Sequence, residues 1–251
     1  MKQMKRIYLA GAGGMLGEAF YHVFKDDYII NCSDKDVNEV WLNYLNFSDY
    51  DNYYSEVDRF KPDYLFHLGA NTSLEYCEEH PDETYLYNTI SVENAVNIAN
   101  RFDIPLLYIS TAGIFDGKKD LYDDWDTPNP LGVYARSKYM GERYVIENAK
   151  RYLVCRAGWM MGGGPRKDKK FIQKLMSQIK NGANELFIVD DKDGTPTYTH
   201  DFAKSVKELI ISEHWGLYNM VCEGQTSRLE VARELVKILD LDKQLKITPV
   251  K

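Results

Sequence analysis

The sequence predicts an α/β fold in which a doubly wound parallel sheet carries helices on both faces. Two observations lead to this prediction. Over the first 157 residues, short apolar runs alternate with stretches of helical periodicity, and short links join them, as in parallel strands connected by crossover helices. From residue 158 the composition changes, so we expect a larger domain at 1–157 and a smaller, partly interleaved region at 158–251.

A glycine turn follows the first apolar run. Residues 7–10 predict a buried strand, and helical periodicity begins at Ala19. Gly11, Gly14 and Gly17 lie in and beside the turn. Glycines at these positions allow a tight turn, close approach of a pyrophosphate to backbone N–H groups, and close packing of helix on strand. The order strand, glycine turn, helix therefore predicts a dinucleotide-binding loop, although a plain glycine turn is the alternative.

An aspartate follows the second predicted strand, at residues 28–31. Asp34 lies 23 residues after Gly11, where a carboxylate would accept hydrogen bonds from an adenosine ribose. Such a carboxylate would repel a 2′-phosphate and so favours NAD over NADP. Lys35 beside it weakens that inference, and a solvated loop aspartate is the alternative.

Small and hydroxylic residues end the next two predicted strands. Residues 64–68 lead into Gly69 and Ala70, whose small side chains would let a cofactor approach the sheet. We expect His67 to be a packed strand residue. The fourth strand, at residues 106–110, is followed by Thr111.

A tyrosine and a lysine four residues apart begin the following helix. Tyr134 and Lys138 would lie on one helical face, about 6 Å apart along the axis. The lysine ammonium would stabilise a phenolate and lower the tyrosine pKa, so that Tyr134 could donate a proton to a new alkoxide. Lys138 would also hold a nicotinamide ribose, and Thr111 would orient a substrate carbonyl. The predicted reaction is hydride transfer from a reduced nicotinamide to a ketone.

The region after residue 158 contains the one dense basic cluster of the chain. Residues 162–165 are Gly-Gly-Gly-Pro, for which we expect no regular structure. The cluster comprises Arg166, Lys167, Lys169 and Lys170. It is either a mobile arm that meets a diphosphate or a solvated flexible loop.

Two later helices are also predicted. Thr199 or Asp201 would cap the first of them. Ser227 and Glu230 form a capping box that opens the last helix. Its inward-facing residues are expected to be Val231, Leu235 and Ile238.

Composition excludes several classes of function. The formal charge of −7 argues against nucleic-acid or anionic-membrane binding, and no segment approaches membrane-spanning length. The basic N-terminus lacks the apolar run of a signal peptide. The four cysteines are scattered and form no metal-ligand pair or disulfide ladder, so we expect a reducing, cytoplasmic setting and no metal site.

Several motifs resemble one family. The sequence resembles the extended short-chain dehydrogenases/reductases and, among them, the dTDP-4-dehydrorhamnose reductases. The resemblance spans roughly residues 7–240. Besides the three glycines, the matching stretches are residues 46–49, 88–93, 110–117, 128–134, 156–159 and 194–197.

The resemblance implies a Rossmann fold and reduction of the 4-keto group of a dTDP-6-deoxyhexose with NADPH or NADH. It implies Thr111, Tyr134 and Lys138 as the catalytic triad, and it places Thr72 and Trp159 near the sugar. The residues that it places against the cofactor are Gly11, Gly14, Met15, Leu16, Asn46 and Phe47. A homodimer is common in the family and is compatible with this sequence.

Two departures from the family matter. Ala112-Gly113 replaces the usual Asp-Tyr after the catalytic threonine, which leaves a smaller and less polar wall. Relatives also continue into a further segment that helps to close the substrate site, whereas this sequence stops at Lys251. Either the chain is truncated, or its substrate side is open or altered.

Two other functions compete with a reductase. A sugar dehydratase or epimerase shares the fold, but a dehydratase needs an acid/base carboxylate pair beside the threonine, which Ala112-Gly113 cannot supply. A non-catalytic partner, like the regulatory subunit of methionine adenosyltransferase, keeps the nucleotide pocket. The intact Thr111, Tyr134 and Lys138 set argues against the partner.

Overall fold

A computed structural model describes residues 4–251 and confirms the predicted architecture. Seven strands form a parallel sheet in the order β11-β6-β5-β4-β1-β2-β3. These strands are Arg6–Ala10 (β1), Ile29–Asp34 (β2), Leu42–Tyr44 (β3), Tyr64–His67 (β4), Leu106–Thr111 (β5), Tyr152–Ala157 (β6) and Gly216–Met220 (β11). The other strands form three two-stranded pairs and are Trp159–Met161 (β7), Glu185–Val189 (β8), Asp193–Gly194 (β9), Pro196–Tyr198 (β10), Thr226–Ser227 (β12) and Lys246–Val250 (β13).

The α-helices flank this sheet or belong to the C-terminal region. They are Met15–Phe24 (α1), Tyr50–Phe60 (α2), Leu74–Glu79 (α3), Pro81–Tyr85 (α4), Ser91–Phe102 (α5), Val133–Asn148 (α6), Gly164–Lys167 (α7), Phe171–Lys180 (α8), Thr199–Ile211 (α9) and Arg228–Ile238 (α10). A π-helical turn, Leu86–Ile90, joins α4 to α5.

Side chains of β1 alternate between two apolar cores. Ile7 and Leu9 pack on the side that holds α1 and α9, and Tyr8 and Ala10 pack on the side that holds α2 and α5. All four are at most 1% exposed. Because successive strand residues point to opposite faces, this double burial requires a run without polar residues.

The C-terminal region has a third apolar core and shares elements with the main sheet. This core includes Leu175, Leu186, Leu229, Ala232 and Val236. In contrast, α9 packs on α1, and β11 pairs with β6 at the edge of the main sheet.

Three local predictions are wrong. Residues 162–165 are not wholly irregular, because α7 begins at Gly164 and accepts Pro165 in its first turn, where no N–H is needed. Helix α9 begins at Thr199 without a side-chain cap. Ile238 is 69% exposed, because the buried stripe of α10 runs through Leu229, Ala232 and Val236. The capping box of Ser227 and Glu230 is confirmed.

Within residues 4–251, no helix is long and apolar enough to cross a membrane. The same part of the chain holds no group of three or more His, Cys, Asp or Glu side chains that could bind a metal ion.

Candidate active site

Three of the predicted cofactor residues meet where β1 and β4 end. Gly11 has a φ of +83°, and its N–H donates to the Ser33 carbonyl at 2.8 Å. A Cβ atom on Gly11 would lie 2.2 Å from the Gly69 nitrogen, so only glycine fits there. The Phe47 ring in turn lies 2.8 Å from the Cβ position of Gly69. Ala70 follows at the half-buried end of this strand.

The first turn of α1 is open to an anion. Gly14 is its N-cap, carries no side-chain cap, and has no atom within 4 Å of its Cβ position. Gly17 instead packs against the Ala12 backbone, where a Cβ would lie 2.4 Å from Cα. Met15 is buried and Leu16 packs on the main core. Uncapped N–H groups beside a close-packed glycine loop fit a pyrophosphate.

Asp34 and Asn46 support the loops around this turn. The Asp34 carboxylate accepts the Gly13 N–H at 2.8 Å and the Asp36 N–H at 3.0 Å. The side-chain amide oxygen of Asn46 accepts a hydrogen bond from the Ser48 hydroxyl at 2.8 Å. Asp34 thus braces the glycine loop, and its role toward a ribose stays a prediction.

Thr111 and Tyr134 are brought together at the carboxyl end of the sheet. Thr111 ends β5 opposite Ala157 of β6, and Tyr134 is the second residue of α6. The Tyr134 phenol lies close enough to the Thr111 hydroxyl for that hydroxyl to lower the phenol's pKa. The Thr111 oxygen also accepts the Gly113 N–H at 3.1 Å. The structure thus brings the phenol and the hydroxyl close together, and their catalytic role stays a prediction.

The expected effect of Lys138 on Tyr134 is absent. Burial raises the pKa of Tyr134 to about 12, the Thr111 hydroxyl opposes this, and Cys77 adds to it. The prediction of a tyrosine pKa lowered by Lys138 is therefore wrong for this structure, because desolvation outweighs any effect of the ammonium.

Lys138 is itself buried, at 3% exposure. Burial lowers its pKa to about 7, although the charge of Glu142 acts in the opposite direction. Its Nζ lies 4.2 Å from the centre of the Tyr108 ring, and the Tyr108 hydroxyl donates to the Lys138 carbonyl at 3.0 Å. These contacts hold Lys138, a residue of α6, against Tyr108 of β5.

A buried ion pair that the sequence did not predict lies next to Lys138. Glu142 lies one turn further along α6, and its carboxylate accepts the Arg156 guanidinium at 2.7 Å. The side chains are 0% and 4% exposed. Arg156 also lies over the Phe115 ring at 5.2 Å. The sequence shows only a charged residue within an apolar strand, which is the one signal that could have indicated a pair.

The structural role of Asn88 was also missed. Its side chain accepts the Asn71 N–H at 2.8 Å and donates to the Asn71 carbonyl at 3.0 Å and to the Ser137 hydroxyl at 3.1 Å. Asn88 lies in the π-helical turn, a feature often found at functional sites. Asn88 therefore ties α6 to the loop that carries Thr72, and the Thr72 side chain is exposed.

His67 is a packed strand residue, as expected. It is fully buried, and its ring nitrogens lie 3.2 Å from the Tyr53 and Ser91 hydroxyl oxygens. Burial, and then the charge of Lys138, lower the pKa of His67 to about 3, so the ring stays neutral.

Trp159 lies just beyond β6 and is held by backbone and glycine contacts. The backbone N–H of Trp159 donates to the Thr195 carbonyl at 3.1 Å. Its indole packs flat on Gly194, where a Cβ would lie 2.4 Å from the ring. The indole position thus depends on a glycine 35 residues away in sequence.

The basic arm, residues 162–170, packs on the glycine loop. Lys167 is buried, and its Nζ donates to the Gly13 carbonyl at 2.9 Å and to Asn38. A Cβ on Gly163 would lie 2.6 Å from the Met15 Cβ. Lys167 is thus no solvated loop residue, whereas the Lys169 side chain is 79% exposed.

A parallel sheet with a glycine loop and with Thr111, Tyr134 and Lys138 at its carboxyl end defines a short-chain dehydrogenase/reductase of the extended type. The chain belongs to the family described as RmlD substrate binding domain, whose model matches residues 4–251.

Named relatives and solved structures agree with this family. The chain is 28% identical to dTDP-4-dehydrorhamnose reductase of Aggregatibacter actinomycetemcomitans, over 91% of this chain and 77% of that protein. It is 27% identical to methionine adenosyltransferase 2 subunit beta of Danio rerio, over 82% of this chain and 63% of that protein. The crystal structure of dTDP-4-dehydrorhamnose reductase from Bacillus anthracis in complex with NADP has a TM-score of 0.90 at 26% identity, over 99% of this chain and 85% of that one.

Proposed function

We propose that this protein reduces the 4-keto group of a nucleotide-linked 6-deoxyhexose with NADPH or NADH, in the synthesis of a surface polysaccharide or related glycan. The observation that carries the proposal is the proximity of the Thr111 hydroxyl, at the end of β5, to the Tyr134 phenol, in the first turn of α6. The reductase relatives support the substrate class, and the NADP complex of one of them supports the cofactor.

In this proposal Thr111, Tyr134 and Lys138 together transfer one proton to the substrate carbonyl oxygen. The Thr111 hydroxyl orients the substrate carbonyl, and Tyr134 donates its proton to the carbonyl oxygen. A pKa of about 12 keeps the phenol protonated at neutral pH, so the proton is available. Lys138 holds the nicotinamide ribose. When bound, the reduced nicotinamide supplies the hydride.

The remaining site residues divide between cofactor and sugar. The backbone at Gly11, Gly14, Met15 and Leu16 would hold the pyrophosphate, and Asp34 would accept the adenosine ribose. Asn46, Phe47, Gly69 and Ala70 would line the cofactor side. Thr72 and Trp159 would contact the sugar, and the region 158–251 would carry most of the substrate-binding surface.

Replacement of Tyr134 tests the proposal. We expect Tyr134→Phe to bind NADPH or NADH as tightly as the wild type but to lose turnover of dTDP-4-dehydro-6-deoxyhexoses. Residual turnover close to that of the wild type would exclude Tyr134 as the proton donor. Separate titrations of NADPH and NADH test Asp34, because a clear preference for NADPH would contradict its role toward the ribose.

A second function, a nucleotide-binding regulatory partner, is favoured by the similarity to methionine adenosyltransferase 2 subunit beta. The same measurements separate the two functions. A wild-type protein that binds cofactor but turns over no 4-keto nucleotide sugar would support the regulatory partner.

A further inference from the structure

Arg228 holds an unpaired guanidinium between two aromatic rings. Its guanidinium carbon lies 5.7 Å from the centre of the Trp159 ring and 5.5 Å from that of Phe171. The residue is half-buried, and its backbone N–H donates to the Lys192 carbonyl at 3.1 Å. Within residues 4–251, no acceptor or carboxylate pairs with the guanidinium itself. Five N–H donors are therefore left free in a fixed position.

This guanidinium lies beside Trp159, one of the residues predicted to contact the sugar. Trp159 lies two residues beyond Ala157, which pairs with Thr111 in the sheet. The charge of Arg228 also acts on Glu75 of α3, whose N-cap, Ser73, follows Thr72 directly.

Positive charges of the C-terminal region affect the pKa of Glu75 in α3. The pKa of Glu75 is held below its ordinary value, first by its own backbone N–H, then by the charge of Lys174, with smaller contributions from Ser73 and Arg228. The charges of Lys174 and Arg228 thus act on Glu75, in the helix that follows Thr72.

We propose that Arg228 binds the diphosphate of the nucleotide-sugar substrate. This inference rests on the proposed function. A guanidinium binds phosphate oxygens through two parallel hydrogen bonds, and stacking on Trp159 and Phe171 reduces the entropy lost on binding. The helix terminus is not the source of attraction, because Ser227 and Glu230 already cap the first turn of α10. Arg228 would couple diphosphate binding to the position of the indole.

The test measures binding of thymidine diphosphate to the NADPH-loaded protein by calorimetry. We expect Arg228→Leu to weaken binding by at least about tenfold, the scale of one charged hydrogen bond. Arg228→Lys keeps the charge but loses the planar guanidinium contact. Its affinity for thymidine diphosphate should lie between those of the wild type and Arg228→Leu. Arg233→Leu is the matched control, because it removes the same charge from an exposed position on the same helix. It should bind thymidine diphosphate within about twofold of the wild type, a difference far below that of one charged hydrogen bond.

Equal binding by the wild type and Arg228→Leu would overturn the proposal, as would a wild type that does not bind thymidine diphosphate. NADPH affinity and melting temperature, measured for every variant, identify a protein that has lost its fold. If Arg228→Leu does not fold, binding of thymidine diphosphate by Arg228→Lys tests the proposal in its place, and binding equal to that of the wild type would overturn it. Failure of the two proposals is distinguishable. If thymidine diphosphate binding depends on Arg228 but no 4-keto sugar is turned over, the diphosphate site stands and the reductase assignment falls.

Discussion

Arg156 donates to both carboxylate oxygens of Glu142, at distances of 2.7 to 3.2 Å, and Glu142 lies one helical turn beyond Lys138. The pair joins β6 to α6. Because both partners are buried, the two charges depend on each other for solvation.

Breaking this pair on one side should be more harmful than removing it. Arg156→Met leaves the Glu142 carboxylate buried and unpaired, and we expect a loss of about 3–5 kcal/mol in the free energy of unfolding. The double variant Arg156→Met/Glu142→Leu should recover part of that loss. Urea unfolding measures both variants, and a double variant less stable than the single one would contradict this account.

Two glycines of the dinucleotide loop should differ sharply in their tolerance of alanine. Gly11→Ala places a Cβ 2.2 Å from the Gly69 backbone at a positive φ, so we expect a loss of at least about 2 kcal/mol in unfolding free energy. Gly14→Ala is the control, because its Cβ would meet no atom within 4 Å, and it should cost less than about 1 kcal/mol. Similar losses for the two variants would show that the contact with Gly69 does not restrict the loop.

The lowered pKa of Lys138 makes stability depend on pH. Lys138 has a pKa of about 7 in the folded protein and an ordinary value of 10.5. Between these values the unfolded chain binds more protons, so this lysine makes the folded state more stable as pH rises. Below pH 7 the lysine is charged in both states, and the full cost of burying the charge remains.

Lys138→Met should therefore gain stability relative to the wild type at pH 6, and this advantage should shrink toward pH 9. The slope can reach about 1.4 kcal/mol per pH unit. Urea unfolding at several pH values measures it. Lys169→Met, at an exposed position, should follow the wild type at every pH. Parallel curves for Lys138→Met and the wild type would show that the pKa of Lys138 is not lowered.

The basic arm should loosen when Lys167 is removed. Lys167→Ala loses the bonds to the Gly13 carbonyl and Asn38, and we expect faster thermolysin cleavage within residues 160–172. Lys169→Ala should leave the cleavage rate unchanged, because Lys169 makes only a 3.9 Å ion pair with Asp36. Equal cleavage of the two variants would indicate that the packing of Gly163 on Met15 holds the arm.

Much of the fold was predictable because its signals are local. The apolar run of β1 and the glycines after it encode a buried strand and a tight turn without reference to the rest of the chain. Thr111 and Tyr134 could be expected to meet because the carboxyl ends of parallel strands share one edge of the sheet. The short strand Leu42–Tyr44 and the π-helical turn were missed, since neither has a distinctive periodicity.

The sequence by itself determined the sheet and the glycine loop, because the order and spacing of apolar runs and glycines along the chain encode them. The tertiary structure alone decided the charge environment. It raised the pKa of Tyr134 where spacing to Lys138 predicted a lower one, and it paired Glu142 with Arg156. Desolvation depends on every segment that packs around a group, and those segments come from distant parts of the chain.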